Sequence, residues 1–312
     1  MFVEVPAPAR SAPPTAHRAS PLRRILRAAP PYLYLAPGLA LLVIWTYRPL
    51  VQTAQLSFYS WNLLPTSPMV PAGTDNYEQL LAAPELGNAV GYTLAVIGGL
   101  LPFTVVIPVV VALATRQVSG RARELYRALI FTPMLVAPVA SAAVWQWLLD
   151  PGSGAVNRFL GVDVNWLYES VPAQISIIGI TGWHLLGFAV LLVSAGLSGI
   201  NNDYSAAAQL DGATRWQTTR WITLPLLSPT LVFLVLMTVL LGAQWTFPLI
   251  DTLTQGGPAA ATTHLYYLLW DYGFHSHQAG LGAAAGVIFF ATFGVVALFL
   301  VWLSDRISHH DD

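Results

Sequence analysis

Read from one charged residue to the next, the chain alternates between long apolar runs and short polar connectors. A helix rises ~1.5 Å per residue and the hydrocarbon of a bilayer is ~30 Å thick, so a crossing needs about 20 mostly apolar residues. Six runs meet that length: Ala28–Tyr47, Leu86–Thr115, Ala128–Leu149, Ser170–Asn202, Trp221–Ile250 and Tyr272–Ser304. The uncharged stretch Pro49–Thr74 does not. Its prolines 49, 65, 68 and 71, with Ser57, Ser60 and Asn62, predict an excursion outside the membrane. The expected fold is therefore an all-α membrane protein of six transmembrane helices. Residues 28–306 form the membrane domain, between a basic tail of residues 1–27 and a short tail of residues 307–312. The first tail is rich in Pro, Ala and Arg and is predicted to be disordered. The first span is too long for a signal-peptide core and runs into Tyr47–Arg48–Pro49 without a small-residue cleavage site, so it is read as retained.

Composition sharpens this picture. Charged residues make up 9% of the 312 residues and hydrophobic ones 55%, against roughly 25% charged in a soluble domain. Mean hydropathy is +0.59. Lipid must cover what water cannot. Net charge is −1 and there is no lysine, which removes the basic footprint that nucleic acid binding requires. Without lysine there is also no phosphate-binding Gly-x-x-x-x-Gly-Lys loop, so the chain cannot hydrolyse ATP by that route. Zero cysteines exclude disulfides, cysteine zinc sites and thiol nucleophiles. All 14 basic residues are arginines. Arg10, Arg18, Arg23, Arg24 and Arg27 precede the first span, and Arg116, Arg121, Arg123 and Arg127 lie between the second and third. Arg215 and Arg220 lie between the fourth and fifth, and Arg306 follows the sixth. The opposite side carries only Arg158, with Arg48 near the outer end of span one. The positive-inside rule predicts both termini in the cytoplasm. An alanine- and proline-rich, lysine-free chain is also what a GC-rich bacterial source would give.

The most informative segment is the inner loop 201–229, NNDYSAAAQLDGATRWQTTRWITLPLLSP. Asp203 is expected to cap a short helix through Ala206–Ala208. Gly212, tolerant of left-handed backbone, would end it in a sharp turn. Thr214 would cap a second helix running through Trp216 and Trp221 into Leu224–Pro225. Two short helices joined rigidly to the fifth span make a lever, and a partner pushing on it would move the bundle.

This loop resembles the EAA motif of permease subunits in ATP-driven (ABC) importers, whose pattern is EAA, then DGA, then Ile-x-Leu-Pro. Ala206–Ala207–Ala208 stands for EAA, Asp211–Gly212–Ala213 for DGA, and Ile222, Leu224 and Pro225 for the end. The family's Glu is here Ala206, which removes one polar contact to the ATPase. A second stretch, WTFPLIDTLTQGGPAAATTHLYYLLWDYGF over 245–274, resembles the carbohydrate-type permeases, the group that includes the maltose importer permeases. Thr246–Phe247–Pro248, Ile250–Asp251, Gly256–Gly257–Pro258 and Ala261–Thr262–Thr263 are most similar to permeases for glycerol 3-phosphate and glycerophosphodiesters. Weaker echoes are Asp75–Asn76–Tyr77, and Asp150–Pro151–Gly152 with Asn157. The likeness runs from about Tyr32 to Arg306. It implies a type I ABC importer permease fold in a bacterial inner membrane. It also implies a second homologous permease, a dimer of ATPase subunits that binds ATP-Mg, and an extracytoplasmic solute-binding protein. The chain itself would need no cofactor and would not be an enzyme. The implied solute is a glycerophosphodiester or glycerol 3-phosphate, with a di- or oligosaccharide as the alternative.

Polar residues within the spans give the candidate solute path: Trp145, Gln146, Trp183, His184, Gln244 and Trp245, with Asp251 at the end of span five. Aromatic faces stack on sugars, amides hydrogen-bond to hydroxyls, and a Trp face also attracts a quaternary ammonium. Trp145, Trp147 and Trp245 fit an interfacial belt equally well, and His184 fits an interhelical hydrogen-bonder better than a ligand. An anionic solute would favour arginine, and Arg48 and Arg158 are the outer candidates. His264, His275 and His277 lack clustered carboxylates and are expected to be surface histidines rather than a metal site, and His309–His310 a polar end. No intramembrane charge or internal repeat points to a secondary carrier, and no catalytic constellation points to an intramembrane enzyme.

Overall fold

The computed structural model describes residues 34–116, 118 and 120–307. The basic tail, the start of the first span at Ala28 and the pair His309–His310 lie outside the described residues. Among the described residues, five helices are long and apolar enough to cross a membrane: Tyr34–Leu56, Pro84–Ala114, Ser170–Gly199, Ser228–Thr254 and Ala279–Leu303. Gly120–Leu135 and Pro138–Leu148, bent by 95° at their junction, together make a sixth. These are called the first to sixth spans in chain order, the bent pair being the third. The chain divides into two units at Gln52/Thr53.

In the first unit, the helix does not stop at Tyr47 as its apolar run suggested. It passes through Arg48 and Pro49 and ends at Leu56. Pro49 removes an N–H and its ring crowds the turn before it. The chain absorbs this by widening at Val43–Tyr47, where the Arg48 N–H reaches Val43 O, five residues back. Arg48 therefore lies within the helix, not at its outer end.

The second unit starts with a tight hairpin rather than a featureless excursion. Tyr59–Ser60 pairs antiparallel with Val70–Pro71. Buried Asn76 donates to Ser57 O at 2.8 Å and Tyr59 O at 3.0 Å, and Tyr77 OH meets Ser57 Oγ at 2.6 Å. The Asp75–Asn76–Tyr77 triplet thus staples the hairpin. The sixth span begins at Ala279, seven residues later than its apolar run, after a break at Ser276–Gln278. Its first N–H donates to Trp61 O at 2.9 Å.

The third span is the largest departure from the expected single crossing Ala128–Leu149. Pro138 forces Ala137 into extended backbone at φ −58°, ψ 131°, and Pro133 weakens the turn before it. Beyond the span, Asp150 Oδ1 accepts from the Ser153 N–H at 2.6 Å, the Ser153 hydroxyl at 2.8 Å and the Gly152 N–H at 3.1 Å. These bonds, led by those from Ser153, hold the Asp150 carboxyl below its usual pKa. Asn157 accepts from Trp166 Nε1 at 2.6 Å and donates to Val164 O at 3.0 Å. The Asp-Pro-Gly…Asn echo is a turn and its staple.

The core lies along the fourth span, whose buried face meets the second, third and fifth. Ile177, Ile180 and Leu185 join Val96, Leu100, Leu249 and Ile250 in the outer cluster, and Val193 and Leu197 join Ala112, Leu227 and Leu234 in the inner one. Gly187 marks the closest approach: a Cβ there would collide with the backbone of Ile130 and Phe131. Thr238 Oγ1 donates to Thr104 Oγ1 at 2.8 Å across the second and fifth spans.

Candidate functional site

The inner loop folds as two short helices around one glycine. The first is Asn202–Leu210. Its cap is Asn201, whose side chain accepts from the Asp203 N–H at 2.9 Å, so the expected cap at Asp203 is displaced by two residues. Asp203 instead sits in the first turn, where its charge favours the helix dipole. Gly212 takes φ +82°. Gly212 N–H reaches Gln209 O at 3.1 Å and Ala213 N–H reaches Ala208 O at 2.9 Å, the paired bonds of a Schellman end. Thr214 then caps Arg215–Thr218 through a capping box with Gln217. Helical bonding continues past Pro225, with Leu227 N–H on Thr223 O at 2.9 Å and Leu231 N–H on Leu227 O at 3.1 Å. Leu227, at φ −82°, ψ −8°, is the single turn residue that joins this helix to the fifth span: its N–H closes the first and its carbonyl opens the second.

Within this turn, Ala208 is buried while Ala206, Ala207, Asp211 and Gly212 are exposed. Ala213, Ile222, Leu224 and Pro225 are half-buried. Leu210 is 90% exposed, Trp216 68% and Trp221 70%, so three large apolar side chains stand out from a capped, well-bonded turn. Hydrophobic side chains held out by a rigid scaffold mark a contact surface. Ala206 lines a concavity with Gln209, Arg215 and Thr219, which leaves room where the family's Glu would stand.

The candidate path residues divide into two sets. His184 is buried, and its Nε2 lies 2.9 Å from Ser141 Oγ on the third span. Trp145 is half-buried with its ring edge-on to Trp183 at 5.6 Å, and half-buried Trp245 packs on the outer core cluster. Gln146, Trp147, Trp183 and Gln244 are exposed, and Asp251 is half-buried in the wide turn Ile250–Thr254. Arg158 is exposed on the short outer helix Ala155–Leu160.

The segment after the fifth span is held from inside. Sequence spacing suggested a surface histidine at 264, but His264 is fully buried. It caps Leu265–Trp270, its Nδ1 accepting from the Tyr267 N–H at 2.9 Å, and its Nε2 lies 3.0 Å from Thr246 Oγ1. Burial lowers its pKa from 6.5 to about 4. Gln174 donates to Ala261 O at 2.7 Å, and Thr93 Oγ1 accepts from the Leu265 N–H at 3.0 Å. Tyr267 is pushed up to about 12, first by burial and then by Asp251 and Asp271. His275 and His277 are exposed, as expected.

A family model described as "binding-protein-dependent transport system inner membrane component" matches residues 104–309, which contain the whole inner loop and the fourth to sixth spans. The chain belongs to this family. It is a membrane-embedded, multi-pass permease built on the importer permease fold. The multiple sugar-binding transport system permease protein of Streptococcus mutans is 28% identical over 91% of this chain and 98% of its own. The sn-glycerol-3-phosphate transport system permease protein of Pectobacterium atrosepticum is 31% identical over 83% of this chain and 88% of its own. Among solved structures, a bacterial ABC transporter that imports the acidic polysaccharide alginate matches with a TM-score of 0.79 at 25% identity, over 92% of this chain and 99% of that one. Beyond the family motifs, Asn201, Asn76, Thr93 and His264 carry the structure of this permease. Asn201, Asn76 and His264 lay in segments singled out from sequence, though not in these roles; Thr93 lay in none, because its partner Leu265 is 172 residues away and leaves no local pattern.

Proposed function

We propose that the chain is one of two permease subunits of an ATP-driven importer in a bacterial inner membrane, with both termini and the loop 201–229 on the cytoplasmic side. The observation that carries this reading is the loop: a Gly212 turn between two capped helices, with Leu210 and Trp216 exposed and the second helix joined to the fifth span through the one turn residue Leu227. An ATPase subunit seated on that surface would transmit its closure through the short Leu227 junction into the bundle. A second permease, the ATPase dimer and a solute-binding protein outside complete the assembly in this reading.

The solute we assign is a glycerophosphodiester or glycerol 3-phosphate. The Thr246–Thr263 segment and the Pectobacterium relative support it. Gln146 and Gln244 offer amides for hydroxyls, and no arginine stands among the path candidates, which suits a zwitterionic phosphodiester better than the dianionic glycerol 3-phosphate. A di- or oligosaccharide is the second reading. Trp183 favours it, because its ring is 38% exposed and steadied by Trp145, ready to stack on a sugar. Uptake by the complete transporter in proteoliposomes separates them. Saturable, ATP-dependent accumulation of glycerophosphocholine, not competed by maltose, is expected. Maltose uptake instead selects the second reading, and uptake without the ATPase subunits overturns the importer itself.

A further inference from the structure

A cavity of about 270 Å³ opens where the second and fourth spans end and the third begins. Arg116, Tyr126, Arg127, Ser194, Ser198 and Asn202 supply its polar wall. Among the described residues no carboxylate lines it; Asp203 and Glu124, the nearest acids in sequence, are exposed and off the wall. Two guanidinium groups on one wall without a counter-charge repel each other, and each keeps donors to place. Arg127 Nε is shielded from solvent and has no hydrogen-bond partner among the described residues. Arg116 uses one donor, from Nη2 to Asn202 Oδ1 at 2.9 Å. The serines do not compete for an anion's oxygens as donors. Ser194 gives its proton to Val190 O at 2.7 Å and Ser198 to Ser194 O at 2.8 Å, which leaves lone pairs for an incoming hydroxyl.

We infer that this cavity binds the phosphate of an anionic, hydroxyl-bearing phospholipid headgroup, with Arg116 and Arg127 on the phosphate oxygens. Its depth argues for lipid over a soluble anion. It lies at the ends of membrane-crossing helices, where headgroups sit, and basic pockets between helices at that level select anionic lipids. Asn202 is the first residue of the first loop helix, so the Arg116–Asn202 bond ties the phosphate site to the coupling turn. Binding does not depend on the importer reading. The consequence for coupling rests on it.

The test uses the complete transporter in nanodiscs, with phosphatidylcholine alone or mixed with phosphatidylglycerol, then extracted and analysed for retained lipid by native mass spectrometry. The wild type is expected to retain phosphatidylglycerol. Arg127→Gln and Arg116→Gln should each lower its retention about fivefold, the scale of one arginine near a charged surface. Arg121→Gln, an exposed arginine off the cavity wall, should leave retention unchanged. Equal retention in all variants overturns the site. Displacement of the lipid by millimolar inorganic phosphate overturns the lipid assignment in favour of a soluble anion. Should Arg127→Gln fail to assemble, Arg116→Gln and phosphate competition on the wild type decide the matter alone. Because the readout is bound lipid, it stands or falls separately from uptake.

Discussion

At the scale of single residues, His264 shows how a buried ring can fasten a loop. Its Nδ1 takes the Tyr267 N–H, so that nitrogen carries no proton. Thr246 gives its own hydroxyl proton to Gly242 O at 3.0 Å, which leaves Nε2–H as the donor to Thr246. Both ring nitrogens are used in the neutral form only. Protonating Nδ1 would set two donors against each other in a site closed to water. The folded pKa, about 4, lies below the unfolded 6.5, so the opened loop binds the proton more readily than the closed one. The stabilisation is full above 6.5 and is lost as pH falls toward 4. Thermal unfolding of the detergent-solubilised transporter should therefore drop through that window, and the drop should shrink in His264→Gln. An equal pH dependence in both proteins would mean that the ring is not the titrating group. The sequence led to a surface histidine here, because the partner on the fifth span, Thr246, lies 18 residues away and local spacing does not show it.

At the scale of elements, turn chemistry was legible and helix limits were less so. Gly212 and Thr214 act through their own backbone neighbours, so local sequence suffices to place a left-handed turn and a capping box. The cap at Asn201 was misplaced by two because Asn and Asp are equivalent as acceptors, and only geometry selects between them. The first helix overran its apolar window because a proline can be tolerated where the preceding turn widens. The glycine itself offers a direct test. No atom lies within 4 Å of the Cβ that would be added at Gly212, so a substitution there is penalised through the backbone alone. A left-handed conformation costs an L-residue roughly 1–2 kcal/mol, less for Asn. In Gly212→Val the subunit should insert and assemble, yet ATP hydrolysis should no longer rise with loaded binding protein and uptake should fall. Gly212→Asn should restore much of both. Normal stimulation and uptake in the valine variant would remove the turn from the coupling route.

At the scale of the whole molecule, the number of crossings could be counted from apolar runs, but the break in the third could not. Pro133 and Pro138 were visible, yet prolines also occur at Pro102 and Pro248, where the helices only widen. What differs is the extended backbone of Ala137. The break leaves pieces of 16 and 11 residues, or about 24 and 16 Å, each short of the ~30 Å hydrocarbon. The first piece rests with the Ile130 backbone against Gly187, a residue synthesised later. Biogenesis must then run out of order: the third segment stays unsettled in the translocation machinery until the fourth arrives to receive it. Glycosylation mapping of nascent chains should find the segment unstably inserted when synthesis stops at residue 169 and fully inserted once residue 200 has emerged. Gly187→Leu in the full-length chain should reproduce the truncated behaviour, whereas stable insertion of the short chain would show that the segment needs no later partner.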